Sequence, residues 1–148
     1  MRITVRQLTG IYFAHMVYRF STQSMSTTST PTIKVEKTYQ PGHLSAAFIT
    51  APDETVAKTL AHGLVSKKLA ACVNIVPKII SIYEWEGKVN EDPEVLMIIK
   101  TSTSKVDEIS EFIRENHPYT VAEVISFPIE NGYQPYLEWV SGALAKKP

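Results

Sequence analysis

Short apolar runs alternate with helical stripes from Leu44 to Leu144, and their order predicts a small α+β domain. Leu44 to Thr50 is an apolar run that stops at Ala51-Pro52, which predicts a buried strand. Asp53 is placed to cap the helix that follows, and Glu54 suits the positive end of its dipole. Val56, Leu60, Leu64, Val65 and Leu69 fall on one stripe at helical spacing, with Lys67 and Lys68 expected in the last turn. Ala71 to Trp85 is rich in β-branched residues, and its apolar alternation changes parity at Ile79-Ile80. That change predicts a bulge or bend near Pro77-Lys78.

Glu86-Gly87 predicts a tight turn, after which Glu94 to Thr101 returns as a strand. Its VLMII segment is apolar on both faces, as in a central strand, and Pro93 is expected to interrupt pairing nearer the hairpin tip. Ser104 and Asp107 outline a capping box for a second helix with Val106, Ile109, Phe112 and Ile113 inward. His117-Pro118 ends that helix, because the residue before proline avoids the helical region. Tyr119 to Phe127 is expected as a fourth strand. Pro135 to Leu144 follows as a short helix with Tyr136, Leu137, Val140 and Leu144 inward. The order β-α-β-β-α-β plus a C-terminal helix is that of a ferredoxin-like sandwich with a long β2-β3 hairpin. Such a ribbon leaves edges and apolar side chains bare in a monomer, and neighbouring copies would cover them.

Charge changes the picture at the N-terminus. Residues 1–43 carry five basic residues against Glu36 alone, whereas residues 44–148 carry ten basic and fourteen acidic residues. The acidic balance of the domain speaks against a nucleic-acid footprint. The first 35 residues lack Asp and Glu, hold three arginines and include a Ser/Thr-rich patch, as mitochondrial transit peptides do. Leu8 to Phe20 also resembles a short secretory core, and initiation at Met25 would leave a cytoplasmic product. Residues 1–43 are therefore expected to be a disordered extension, and residues 44–148 the domain. No apolar run reaches the roughly 18–20 residues that span a bilayer.

Few residues are equipped for chemistry. His117 can ligate a borderline metal or exchange a proton near neutral pH; equally, it can serve as a helix-end cap. Cys72, the single cysteine, suits a soft metal as a thiolate or a core position as a small hydrophobe. Glu84, Glu86, Glu91, Asp92 and Glu94 surround the hairpin without the spacing of a calcium loop, and read as a solvated tip. Lys100, Glu123, Tyr83, Trp85 and Tyr119 are candidates to line a cleft between subunits, with Lys100 either pairing Glu123 or holding an anion. Neither a GxSxG nor a Cys-His motif is present. The first loop holds no phosphate-binding arginine, and the central strand has no aromatic platform for RNA.

Several motifs in order resemble the CutA family of divalent-cation-tolerance proteins, animal type, over about Ser45 to Leu144. They are Thr50-Ala51-Pro52-Asp53-Glu54, Leu69-Ala70-Ala71-Cys72-Val73-Asn74, Ile82-Tyr83-Glu84-Trp85-Glu86-Gly87, Lys100-Thr101, His117-Pro118-Tyr119 and Tyr136-Leu137-Glu138-Trp139. The resemblance implies a non-enzymatic homotrimer with weak affinity for copper or another divalent cation. It also implies a scaffold role in acetylcholinesterase assembly or membrane association. Copper-binding bacterial members carry a cysteine before the first motif and a His-His pair before Pro-Tyr. Here those positions hold Ile49, Asn116 and His117, so two of the three ligands are missing. The family's likeness to PII signalling trimers implies an alternative, a sensor binding a small ligand between subunits. The acidic hairpin tip disfavours nucleotides in that role.

Overall fold

The computed structural model describes residues 39–145. The expectations of a targeting peptide and of initiation at Met25 lie outside the described residues. Four strands and three helices follow in the order β1 Leu44–Ala51, α1 Glu54–Ser66, β2 Cys72–Trp85, β3 Lys88–Ser102, α2 Val106–Asn116, β4 Ile125–Pro128 and α3 Gln134–Leu144. The strands form one antiparallel sheet in the order β2-β3-β1-β4, the ferredoxin-like arrangement.

Asp53 caps α1 as expected, its carboxylate accepting from the N–H groups of Thr55 at 2.7 Å and Val56 at 2.9 Å. The helix ends earlier than its lysines: Ser66 is its last residue, Lys67 is the cap, and Lys68 takes the left-handed conformation at φ 59°. On one face of the sheet, Ala47, Ile49, Met97 and Ile99 pack against Leu60 and Leu64 of α1 and Ile109 and Ile113 of α2. A fully buried leucine or isoleucine contributes about 1.5–3 kcal/mol. These residues therefore fix the helices, and the exposed Glu54–Lys58 and Glu111–Arg114 pairs do not. Val65, expected in the stripe, is exposed.

A second cluster joins Tyr39, Leu44, Leu137, Val140 and Leu144, with α3 as its lid. Tyr39 donates its hydroxyl to the Ile129 carbonyl at 2.7 Å and accepts from the Leu44 N–H at 3.2 Å. Tyr39 thus packs in one cluster with β1 and α3. Tyr136, expected inward, is exposed and packs on Trp139 with ring centres 5.5 Å apart.

The hairpin carries the predicted irregularity. Val76 faces Leu96 and Ile79 faces Glu94, so Pro77 and Lys78 stand against Val95 alone. Lys78 adopts φ 63°, and the strand resumes with opposite parity. Beyond the bulge, Ile79, Ser81, Tyr83 and Trp85 share a face with Glu94, Asp92 and Asn90, while Ile80 and Ile82 point the other way. β3 runs unbroken through Pro93, against expectation, because the irregularity sits on the facing strand. Glu86 at φ 52° and Gly87 at φ 77° close the two-residue turn.

Two further expectations are corrected. The capping box does not form: Thr103–Lys105 make a 3-10 turn, α2 starts at Val106 without a side-chain cap, and Ser104 hydrogen-bonds Ser102 instead. The fourth strand is only Ile125–Pro128. Upstream of it the chain bonds elsewhere, the Tyr119 N–H going to His117 rather than to a strand.

Candidate functional site

His117 follows the last residue of α2 and leaves the helix at φ −86°, ψ 141°, its N–H donating to the Ile113 carbonyl at 2.8 Å. The side chain is 9% exposed. Nε2 lies 2.9 Å from the Thr50 carbonyl, and the Tyr119 N–H donates to Nδ1 at 3.1 Å. A carbonyl only accepts and an amide N–H only donates, so these partners fix the neutral tautomer with the proton on Nε2. Burial pushes the imidazole below its ordinary pKa, opposed in part by the Thr50 bond and the Glu94 charge. Both ring nitrogens are engaged, and the residue staples the end of α2 to β1.

Cys72 is half-buried at the start of β2, facing Lys100 and lying beside the Tyr136 hydroxyl. Thr50, the partner of His117, faces Leu96. Lys100 and Leu96 are four residues apart on β3, about 13 Å of strand. The structure therefore does not bring Cys72 and His117 together. Nor does Lys100 reach Glu123: its ammonium donates to the Asn74 side chain and to the Ile98 carbonyl at 3.2 Å.

The other four cleft candidates do converge. Tyr83, Trp85, Tyr119 and Glu123 line a cleft of about 550 Å³ with Thr50, Ser81 and Glu94, and no lysine, arginine or histidine is in its lining. The β2 bulge supplies this geometry by turning Tyr83 and Trp85 to the face that carries Glu94. The loop after α2 adds Tyr119 and Glu123.

Glu94 is the residue that pattern reading misplaced. Expected at a solvated tip, it is 7% exposed and accepts a hydrogen bond from the Tyr119 hydroxyl. Its sequence signal was its position directly before the apolar run Val95–Ile99, sharing parity with Leu96 and Ile98. Burial, the Glu94 charge and the Glu94 hydrogen bond push the Tyr119 hydroxyl up to about 12, helped by Tyr83 and Asp92. Burial and then Glu94 also raise the Glu123 carboxyl. Tyr83 donates to Asp92 at 2.7 Å, and this bond holds its phenol protonated. The cleft is thus aromatic-walled and electronegative. Among the described residues no three His, Cys, Asp or Glu side chains cluster closely enough to ligate one ion.

The four-stranded antiparallel sheet and three helices define a small α+β domain of ferredoxin-like order. The family model described as CutA1 divalent ion tolerance protein matches residues 45–143, and the chain belongs to that family. It is 61% identical to Protein CutA homolog of Xenopus laevis over 102 residues, 69% of this chain and 68% of that one. It is 59% identical to Protein CutA of Homo sapiens over the same length, and there it spans only 57% of the relative. Among solved structures, CutA1 from Oryza sativa superposes with a TM-score of 0.68 at 46% identity, covering 72% of this chain and 96% of that one. The divalent cation tolerance protein from Thermus thermophilus gives 0.64 at 46% identity, covering 66% and 94%.

Proposed function

We propose that this protein is a non-enzymatic homotrimeric binding and scaffold protein that takes divalent cations weakly at the cleft carboxylates. The observation that carries the reading is the distal ribbon. Ile80, Ile82 and Val89 are 65%, 68% and 68% exposed on one face. Apolar side chains along a two-stranded ribbon need cover, and β2 is an edge strand along its whole length. A contact of ribbon to neighbouring sheet joins unlike surfaces, and such contacts close as rings where the rotation between copies closes. The threefold ring is the one implied by the family resemblance. Sedimentation equilibrium of the full chain tests it: three times the 16.6 kDa chain mass is expected with or without added metal. Ile82→Lys combined with Val89→Lys should give monomers. A monomeric parent protein at micromolar concentration would sink the proposal.

Glu94 and Glu123 offer oxygen ligands, which suit hard cations better than copper. A copper role for His117 would require one ring nitrogen to give up its hydrogen bond, at Nδ1 the one from the Tyr119 N–H. Calorimetric titration with magnesium, zinc and copper separates these readings. Weak binding lost in Glu94→Gln/Glu123→Gln supports the carboxylates, whereas loss in His117→Ala alone restores the imidazole site. A PII-like sensor of anionic ligands gains no support from a cleft lined by carboxylates and no cation. The exposed aromatics of α3, Tyr136 and Trp139, support a scaffold surface. Co-sedimentation with purified acetylcholinesterase tests the partner implied by the resemblance.

Among the described residues no helix is long and apolar enough to cross a membrane. The acid-free N-terminal composition supports mitochondrial import, and initiation at Met25 a cytoplasmic form. Fluorescent fusions of both forms would distinguish the two.

A further inference from the structure

We infer that the cleft accommodates a monovalent organic cation, a guanidinium or alkylammonium group, held against aromatic faces and two carboxylates. The inference rests on reading the cleft as a cation site and goes beyond the metal. Tight metal binding needs a compact set of oxygen, nitrogen or sulfur ligands, and with no such set of three among the described residues the two carboxylates hold a metal only weakly. What the cleft offers instead is π surface and diffuse negative charge. Tyr83, Trp85 and Tyr119 line it with Glu94 and Glu123, and no basic side chain competes for either carboxylate there. Aromatic faces attract cations through the ring quadrupole, tryptophan most strongly, and the attraction grows as water is excluded.

The two tyrosines are prepared for this role. Each donates its hydroxyl to a carboxylate, Tyr83 to Asp92 at 2.7 Å and Tyr119 to Glu94. Those bonds fix the positions of the rings. Tyr119 is held further by the His117 ring, 4.9 Å away in an edge-on arrangement. Glu94 is only 7% exposed, and the lining places no basic side chain against its carboxyl group. A volume of about 550 Å³ exceeds what a bare ion needs and lies within the range of small-molecule sites.

The test is calorimetric titration of the full-length assembled protein with methylguanidinium chloride and with tetramethylammonium chloride. Sodium chloride at matched ionic strength and neutral tert-butanol serve as controls. Saturable binding of at least one cation is expected, without binding of tert-butanol. Trp85→Leu should weaken it about tenfold, the scale of one partly desolvated cation–π contact. Glu94→Gln should weaken it at least as much, and Trp139→Phe should leave it unchanged. Trp85 is more than half exposed, so its replacement should not unfold the domain. Binding of methylguanidinium alone assigns donor-bearing cations, and binding of both assigns alkylammonium groups as well. No saturable heat above the salt control, or binding indifferent to Trp85→Leu, overturns the inference. Divalent-metal titration of the same variants separates the two readings: Trp85→Leu should weaken the organic cation and leave the metal unchanged.

Discussion

Acidification should loosen the staple that His117 makes between α2 and β1. In the folded chain the imidazole is neutral, donating to Thr50 and accepting from Tyr119, and burial lowers its pKa. In the unfolded chain it titrates near its ordinary value of about 6.5. A group whose folded pKa is lowered binds more protons when unfolded, so stability falls as pH drops below about 6.5 and levels off below the folded pKa. If the folded imidazole stays neutral, the loss at pH 5.5 relative to pH 7.5 is about 1.4 kcal/mol. For a domain of this size that is on the order of 5–10 °C in Tm. His117→Gln removes the titration and retains a donor for the Thr50 carbonyl. It forfeits the acceptor for Tyr119, at about 1 kcal/mol when pH is neutral.

Thermal melts of both proteins at one fixed protein concentration, between pH 7.5 and 5.5, give the double difference. The fixed concentration removes any contribution from association. Glu123, whose raised pKa acts in the opposite direction, is common to both proteins and cancels. The variant should start less stable and lose less on acidification, so the gap closes. Equal acid sensitivity in the two proteins would refute the assigned tautomer and its role.

Three further outcomes follow from single contacts. Thr101→Val should cost about 1–3 kcal/mol in urea denaturation, because it orphans the Leu69 carbonyl that the buried Thr101 hydroxyl satisfies at 2.6 Å. Asp53→Ala should cost about 1 kcal/mol by the same measurement, since two N–H groups at the start of α1 lose their acceptor. Gly87→Ala should destabilise by about 1 kcal/mol through backbone conformation alone. Its φ is 77°, and a Cβ there meets nothing within 4 Å, so nearby repacking should not rescue it.

The elements most legible in the sequence are those whose cause is local. Asp53 before a helical stripe, Glu86-Gly87 between strands and the parity change at Pro77-Lys78 each depend on a few adjacent residues, and each is realised. The capping box failed because Ser104 found a nearer partner in Ser102. The fourth strand was overextended because the Tyr119 N–H is bound by the His117 imidazole two residues earlier, itself anchored to Thr50 on β1, which strand propensity does not register. Glu94 looked solvated by residue type, yet it is buried and meets Tyr119, a residue 25 positions away. The site was half legible for the same reason. Aromatics at alternate positions beyond a bulge can be assigned a common face, whereas the distance between Cys72 and His117 depends on sheet register.

The bulge has one more effect, on how the sheet meets stray extended chains. An intruding strand adds to an edge by reading an uninterrupted row of N–H and C=O groups in step. β2 presents such a row from Cys72 to Val76 and again from Ile79 to Trp85, but Pro77 has no N–H to give and Lys78 turns the backbone out of step. No segment can zip along the whole margin, because the two halves are offset and face differently. A chain with this much exposed apolar ribbon would otherwise be a seed for fibres. With the margin broken at Pro77-Lys78, the ribbon can be sticky toward its own kind without becoming a template.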